Sequence, residues 1–231
     1  MRILAVIPAR GGSKRLPRKN IMDLAGRPLI DYSIQAVRKS SLVTNHVVST
    51  DDEEIASVAR ECGANVPFIR PPELSTDNVR NSQTLLHALD WFADAQGQDF
   101  DAVILLQPTA PLRQSWHIDE AVKLFESTGA DTLASVTGPH KKRDVVIKQL
   151  LNENRLVDYT PDDPNVGYYR YNASIYIVRS DYLRDKQRFT SEKEVGYVMD
   201  EEFSIDVDTK LDLYRAEADI RYCKELNLCE F

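Results

Sequence analysis

Cysteine is scarce in this chain: Cys62, Cys223 and Cys229 are the whole complement, odd in number and in no metal-ligand spacing. That excludes a disulfide framework and suits a reducing compartment where thiols stay free. Histidine is as sparse. His46, His87, His117 and His140 lie far apart, so none pairs at the short spacing of a zinc site and each reads as structural. Long apolar runs are missing too, since nothing approaches the roughly 20 residues of a membrane span. The opening MRILAVIPAR breaks into proline too soon for a secretion signal, so a cytoplasmic protein without membrane contact is expected. Positive charge is short overall, with a formal net charge of -7. A general nucleic-acid binder is thereby disfavoured, because the phosphates of a duplex demand a broad basic surface. Any anion site must be local.

What is present is the composition of a folded protein, 231 residues with 42% hydrophobic and 28% charged, enough for one α/β core and a modest lobe. Runs rich in Ile, Val and Leu recur at Ile3 to Ile7, His46 to Ser49 and Ala102 to Leu106. Between and after them, Pro28 to Lys39, Glu53 to Cys62, Gln83 to Phe92 and Ile118 to Phe125 carry apolar residues at helical spacing. This alternation predicts βαβ units and a parallel sheet. Gly63 sits where a helix C-cap is expected, and Trp91 and Trp116 fall on helical patterns that place them in the core. Ligands of open parallel sheets bind outside the carboxyl ends of the strands, so the loops opening at Ala9, Thr50 and Gln107 should share one crevice. After residue 140 the pattern changes. Val145 to Leu151 and Tyr171 to Val178 alternate around the turn-rich YTPDDPNVG, which predicts an antiparallel excursion. Ser204 to Asp208 then leads into a terminal helix, Leu211 to Leu226, with Asp208 and Thr209 as its cap signal.

Behind the first strand, RGGSKRLPRK packs Arg10, Lys14, Arg15, Arg18 and Lys19 with no acid. Gly11 and Gly12 let backbone N–H groups approach an anion while the cations neutralise phosphate charge; a solvated basic loop is the plainer alternative. Neither G-x-x-x-x-G-K-[ST] nor G-x-G-x-x-G is present, which leaves P-loop and dinucleotide-binding enzymes unsupported. In STDDEEIA, Asp51 and its neighbours read as a helix cap with first-turn acids. Arg113 faces a phosphate, a carboxylate or, as the simpler expectation, a neighbouring acid. In SIDVDTKLDL, Asp206 and Asp208 flank Val207, so on an extended segment both carboxylates share one face. Such a pair suits magnesium, which takes one or two carboxylates plus waters and phosphates. A strand end that caps the next helix is the alternative.

Four strings carry a family resemblance. IPARGGSKRLPRKN resembles the N-terminal signature of the acylneuraminate cytidylyltransferases, QPTAPLR their L-Q-P-T-[SA]-P-L-R element, YYRYNASIYIV their R-x-N-G-[AS]-I-Y element and SIDVDT their S-[IV]-D-[IV]-D-T element. The resemblance implies a Rossmann-like, mostly parallel α/β sheet of the nucleotide-diphospho-sugar transferase type. Residues 1–140 would form the nucleotide-binding core, 141–182 a small antiparallel lobe for dimerisation and sugar contact, and 183–231 a return to the core. The implied reaction joins CMP from CTP to the anomeric hydroxyl of a nine-carbon ulosonic acid, N-acetylneuraminate or a bacterial relative such as legionaminate, and releases pyrophosphate. Magnesium and a homodimer come with it. Arg10, Gly11, Gly12, Lys14, Lys19 and Asn20 would meet the phosphates and ribose, and Arg70, Asp77 and Ser82 the cytidine. Gln107, Arg170 and Asn172 would meet the sugar, and Asp206 and Asp208 the metal; Arg10, Lys19 and both aspartates form the implied catalytic set.

Two alternatives stand beside this reading: a KDO cytidylyltransferase and a catalytically silent nucleotide-sugar binding dimer. KDO enzymes continue the first loop with K-P and typically lack the first aspartate, so Lys19-Asn20 and the intact pair side with the nine-carbon group. Ala173 stands where the family usually has Gly. TPDDPNVGYY stands where it often has R-R-Q-D-L-P, which leaves Lys148 and Arg170 as the cations to meet a sugar carboxylate. Tyr168, Tyr169 and Tyr171 are expected at a subunit interface.

Overall fold

Each early apolar run becomes a strand buried on both faces. The computed structural model describes residues 1–140, 148–150, 155–158 and 168–230. It opens with β1 (Ile3–Pro8) and a short hairpin of β2 (Asp23–Leu24) and β3 (Arg27–Pro28), followed by β4 (Asn45–Ser49) and β5 (Ala102–Leu106). β1 lies between β4 and β5, parallel to both. Its odd residues, Ile3, Ala5 and Ile7, enter one core, and Leu4 and Val6 enter the other. Two-sided burial explains why these strands read as continuous apolar runs. Each buried Ile or Leu contributes roughly 1.5–3 kcal/mol over its exposed state.

Helices cover both faces. α1 (Leu29–Lys39), α2 (Glu53–Glu61), α3 (Asn81–Gln96) and α4 (Ser115–Thr128) each match one expected periodic segment, to within one residue at Pro28 and Cys62, which are caps. Asp52 caps α2 by accepting the N–H groups of Glu54 and Ile55, both at 3.0 Å, and Gly63 at φ 87° turns the chain out of it. Trp91 and Trp116 are half-buried against the two cores.

The second half is less regular. β6 (Thr132–His140), β7 (Lys148–Leu150), β8 (Leu156–Asp158), β9 (Tyr168–Arg179), α5 (Ser180–Lys186), β10 (Glu194–Val198) and α6 (Lys210–Glu225) complete the described elements. The strand order of the main sheet is β10-β6-β9-β5-β1-β4, all parallel except β9, with β7 and β8 attached beside β9. This corrects the expected excursion. The segment Tyr171 to Val178 is not wholly outside the sheet: its apolar end, Ile175 to Val178, pairs with β5 on one side, and Ile177 and Val178 sit in the buried cores. The residues that pair with β7 are Tyr168 and Tyr169, ahead of this segment. β6 and β10 were not legible as strands, since Ser, Thr and Gly interrupt their apolar residues. The turn YTPDDPNVG, most of Val145 to Leu151 and the Lys148 side chain lie outside the described residues.

In β9 the chain bulges. Tyr176 pairs with Ala134 and Tyr171 with Val136, so residues 172–175 oppose the single residue Ser135. Ala173 takes φ 57°, the left-handed region where glycine is at ease and alanine is strained.

Candidate functional site

At the carboxyl ends of β1 and β5 the loops enclose a cleft of about 310 Å³, walled by Arg10, Ser13, Lys19 and Asn20 on one side and by residues 70–84 on another, with Gln107, Pro108 and Thr109 as its floor. The loops opening at Ala9 and Gln107 therefore share a crevice as expected, whereas the loop at Thr50 does not line it. A polar lining of this size suits a highly hydroxylated, charged ligand better than an apolar one.

The cations of the first loop are all engaged by acids. Asp77 receives Arg10 at 2.9 Å and also Lys14; these contacts, Lys14 first, hold its carboxyl below the usual carboxylate range although it is exposed. Asp208 receives Arg15 at 2.6 Å and Lys19 at 2.9 Å. Arg18, itself left-handed at φ 59°, reaches Asp52 and Glu54. The carboxylates thus occupy positions that phosphate oxygens would take from the same cations. Asn20 is buried and donates to the Arg10 carbonyl at 3.1 Å, which braces the loop across its base.

The two glycines differ. The Gly11 N–H donates to Asp51 at 3.0 Å, and a Cβ on Gly11 would stand 2.6 Å from an Asp52 oxygen. Gly11 is thus a packing requirement in this conformation, whereas nothing lies within 4 Å of a Cβ at Gly12. Asp51 is accordingly no helix cap; that role belongs to Asp52. Asp51 instead links Gly11 to Arg70, 3.7 Å away.

Arg70 is buried to 3% exposure, donates to Ser75 at 3.0 Å, and burial draws its guanidinium below the ordinary value. Ser82 does not reach the cleft: it is buried at 2% exposure within α3, and Asn81 and Thr84 line the wall instead. Helical periodicity explains this, since a one-residue step rotates a side chain by roughly 100°.

Gln107 lines the floor. Arg113 differs from expectation, because among the described residues no acid lies within ion-pair distance of it. Wholly buried, it donates to the carbonyls of Gln107 at 3.2 Å and Ser174 at 2.8 Å and to the Ser33 hydroxyl at 2.6 Å. Burial alone lowers its pKa to about 9, which still leaves it charged at neutral pH.

Asn172 departs as well. It is buried, and its amide is spent on Ser135 at 2.5 Å, Ser174 at 3.3 Å and Ser204 at 2.9 Å, so in this conformation it clamps the bulge instead of meeting a ligand. Arg170 is exposed on β9 and lies outside the cleft lining. The Tyr171 hydroxyl donates to the buried Glu194 at 3.0 Å, a contact within the chain.

The aspartate pair is reached through Thr109, whose carbonyl accepts the Val207 N–H at 2.8 Å and docks residues 206–208 beside the floor. Val207 is buried while Asp206 and Asp208 turn outward, as the alternation predicts. Crowding by protein atoms raises the Asp206 pKa; Thr109 opposes this, Asp208 adds to it, and Lys19 opposes it. Because Asp206 still faces solvent, water tempers the effect. Thr109 Oγ1 is buried without a well-formed hydrogen bond. Ser13, Thr76, Asn81, Thr84 and Thr109 were not singled out from sequence, although Ser13 lies inside IPARGGSKRLPRKN and Thr109 inside QPTAPLR.

Comparison with known proteins agrees with the geometry. Residues 4–229 match the family model described as cytidylyltransferase. The chain is 38% identical to the CMP-N,N'-diacetyllegionaminic acid synthase of Legionella pneumophila, over 92% of this chain and 93% of that protein. It is 34% identical to the N-acylneuraminate cytidylyltransferase of Escherichia coli over 91% of this chain, spanning about half, 50%, of that longer relative. A solved CMP:2-keto-3-deoxy-manno-octonic acid synthetase complexed with CTP superposes with a TM-score of 0.77 over 96% of this chain and 99% of that one, at 17% identity, a likeness of fold alone. With Arg10 and Lys19 in the wall of a cleft floored by Gln107, and the aspartate pair docked beside that floor through Thr109, these matches identify the chain as a member of the cytidylyltransferase family.

Proposed function

We propose that the chain transfers CMP from CTP to the anomeric hydroxyl of a nine-carbon ulosonic acid and releases pyrophosphate. The observation that carries this is the position of Lys19: it stands in the cleft wall, 2.9 Å from Asp208, on the same cleft as Gln107. A phosphate held by Lys19 and Arg10 is thereby brought to the carboxylate pair and to an amide that both donates and accepts. The anomeric oxygen forms the new bond to the α-phosphorus as the bond to the β-phosphate oxygen breaks, and the hydroxyl proton passes to solvent. Arg10, Lys14 and Lys19 oppose the charge that grows on the phosphates, which requires Asp77 and Asp208 to yield their present partners.

Magnesium fits the donor set of Asp206 and Asp208. Both supply oxygen only, each raises the energy of the other's charge, and two protein ligands leave positions for water and phosphate. Bound there, the ion would neutralise phosphate charge and acidify the attacking hydroxyl. The homodimer, built through the arm that carries β7 and β8, and the cytoplasmic location belong to the same reading. No described helix is long and apolar enough to cross a membrane.

Incubation with magnesium, CTP and a panel of eight- and nine-carbon ulosonic acids, followed by pyrophosphate release, tests the reaction. Release is expected with nine-carbon acids such as legionaminate or N-acetylneuraminate, and Asp208→Asn should lower it by at least 100-fold with the fold intact. Release with the eight-carbon acid alone would instead favour a KDO enzyme.

A further inference from the structure

Arg113 is the largest fully buried side chain, and it is a cation held by no acid among the described residues. Such a group is expensive: a hydrophobic side chain of similar volume fills the same space without the cost of stripping water from a charge. Its Nε donates to nothing among the described residues and its Nη2 to the Ser33 hydroxyl, while its Nη1 donates to main-chain oxygens at two irregular points. One is Gln107, where β5 ends and the cleft floor begins; its carbonyl also accepts from Ser33 at 3.3 Å and from the Ala110 N–H at 3.3 Å. The other is Ser174, inside the bulge where β9 leaves its pairing with β6 and just before Ile175 resumes pairing with β5. Its carbonyl lies next to the left-handed Ala173. Buried carbonyls outside a ladder need donors, and the planar fork of an arginine can serve two at once.

We propose that Arg113 is a positioning residue for the acceptor half of the site. It ties the Gln107 backbone to the bulge of β9 and so sets where the Gln107 amide stands relative to Lys19 and the aspartate pair. Arg113 lies outside the cleft lining and acts only through those carbonyls. The nucleotide half is built from the Arg10 to Asn20 loop and the 70–84 wall, neither of which Arg113 touches. This inference rests on the reaction proposed above.

The full-length chain carrying Arg113→Met or Arg113→Lys tests it, with the acid that the wild type accepts. In Arg113→Met, the KM for the acid is expected to rise at least tenfold while CTP binding, measured alone by calorimetry, stays within twofold. Lysine, which keeps the charge and can reach one carbonyl, should recover part of the loss. Amide hydrogen exchange should quicken in peptides covering 105–112 and 171–176 and stay unchanged at 3–8. A folded Arg113→Met with an unchanged KM for the acid, or with CTP binding weakened in parallel, overturns the proposal. If methionine prevents folding, the same measurements on Arg113→Lys decide it. If the wild type releases no pyrophosphate with any acid, the proposed reaction is at fault; exchange then judges Arg113 alone, and unchanged exchange in both segments overturns its role.

Discussion

Adding one methyl group at each of the two adjacent glycines of the first loop should have opposite outcomes. In Gly11→Ala the new Cβ meets Asp52 Oδ2 at 2.6 Å and Asp52 Cβ at 3.0 Å, closer than real contacts allow, so Asp52 must move. Asp52 is not free to move cheaply: it accepts both cap bonds of α2 and pairs with Arg18 at 2.5 Å. Loss of an N-cap costs about 1 kcal/mol, and overpacking adds about 1–3 kcal/mol. A total of about 2–4 kcal/mol lowers the melting temperature of a chain of this size by roughly 4–16 °C. Gly12→Ala meets nothing within 4 Å and should shift melting by less than about 2 °C, as surface substitutions do. Differential scanning calorimetry of both variants is the assay. Equal melting temperatures for the two, in either direction, would refute the assignment of Gly11 to packing against Asp52.

Three further outcomes are expected. His117 is buried, accepts the Gln114 N–H at 3.0 Å, and has its pKa drawn by burial to about 3. The unfolded chain therefore takes up the proton first, near the ordinary 6.5. The stability due to neutral His117 is complete above that value and is lost as pH falls towards about 3. Between pH 7.5 and 5.5 this one group should cost about 1.4 kcal/mol of stability, a loss that urea titrations should find absent in His117→Asn. Ala173→Gly relieves the left-handed strain in β9 and should raise stability by about 0.5–1 kcal/mol; chemical denaturation showing a decrease would contradict the strained backbone. Asp77→Asn releases Arg10 and Lys14, so CTP should bind severalfold more tightly at low salt, with the gain shrinking as salt is added. Weaker binding at every salt would show instead that Asp77 itself serves the nucleotide.

How much of this was legible depended on the element. The runs at Ile3, His46 and Ala102 announced themselves because strands buried on both faces carry apolar residues at consecutive positions. Gly63 and the Asp206-Val207-Asp208 alternation were equally direct, one set by backbone geometry and the other by a period of two. β9 was misplaced because a strand that lies half in an arm and half in the core has one periodicity for both. Ser82, Asn172 and Arg113 show a different limit. Residue type marks them as ligand-capable, but whether an amide, hydroxyl or guanidinium faces a cleft or a carbonyl depends on packing partners roughly 30 to 80 positions away, which no local pattern records.

The central antiparallel strand has a consequence for the order of assembly. β5 and β6 never touch as neighbours in the strand order; β9 separates them. Everything up to residue 140 can therefore emerge from the ribosome and still lack the strand that joins its two halves. Until Tyr168–Arg179 follows, the nascent chain holds the β5 edge open and β6 without either neighbour, since β10 comes later still, each a template for a wrong partner. Closure of the sheet is consequently a late insertion between two waiting edges, and the strained bulge lies in the same segment that performs it. A polypeptide halted before this strand would hold most of the cleft residues without the joined sheet that positions them.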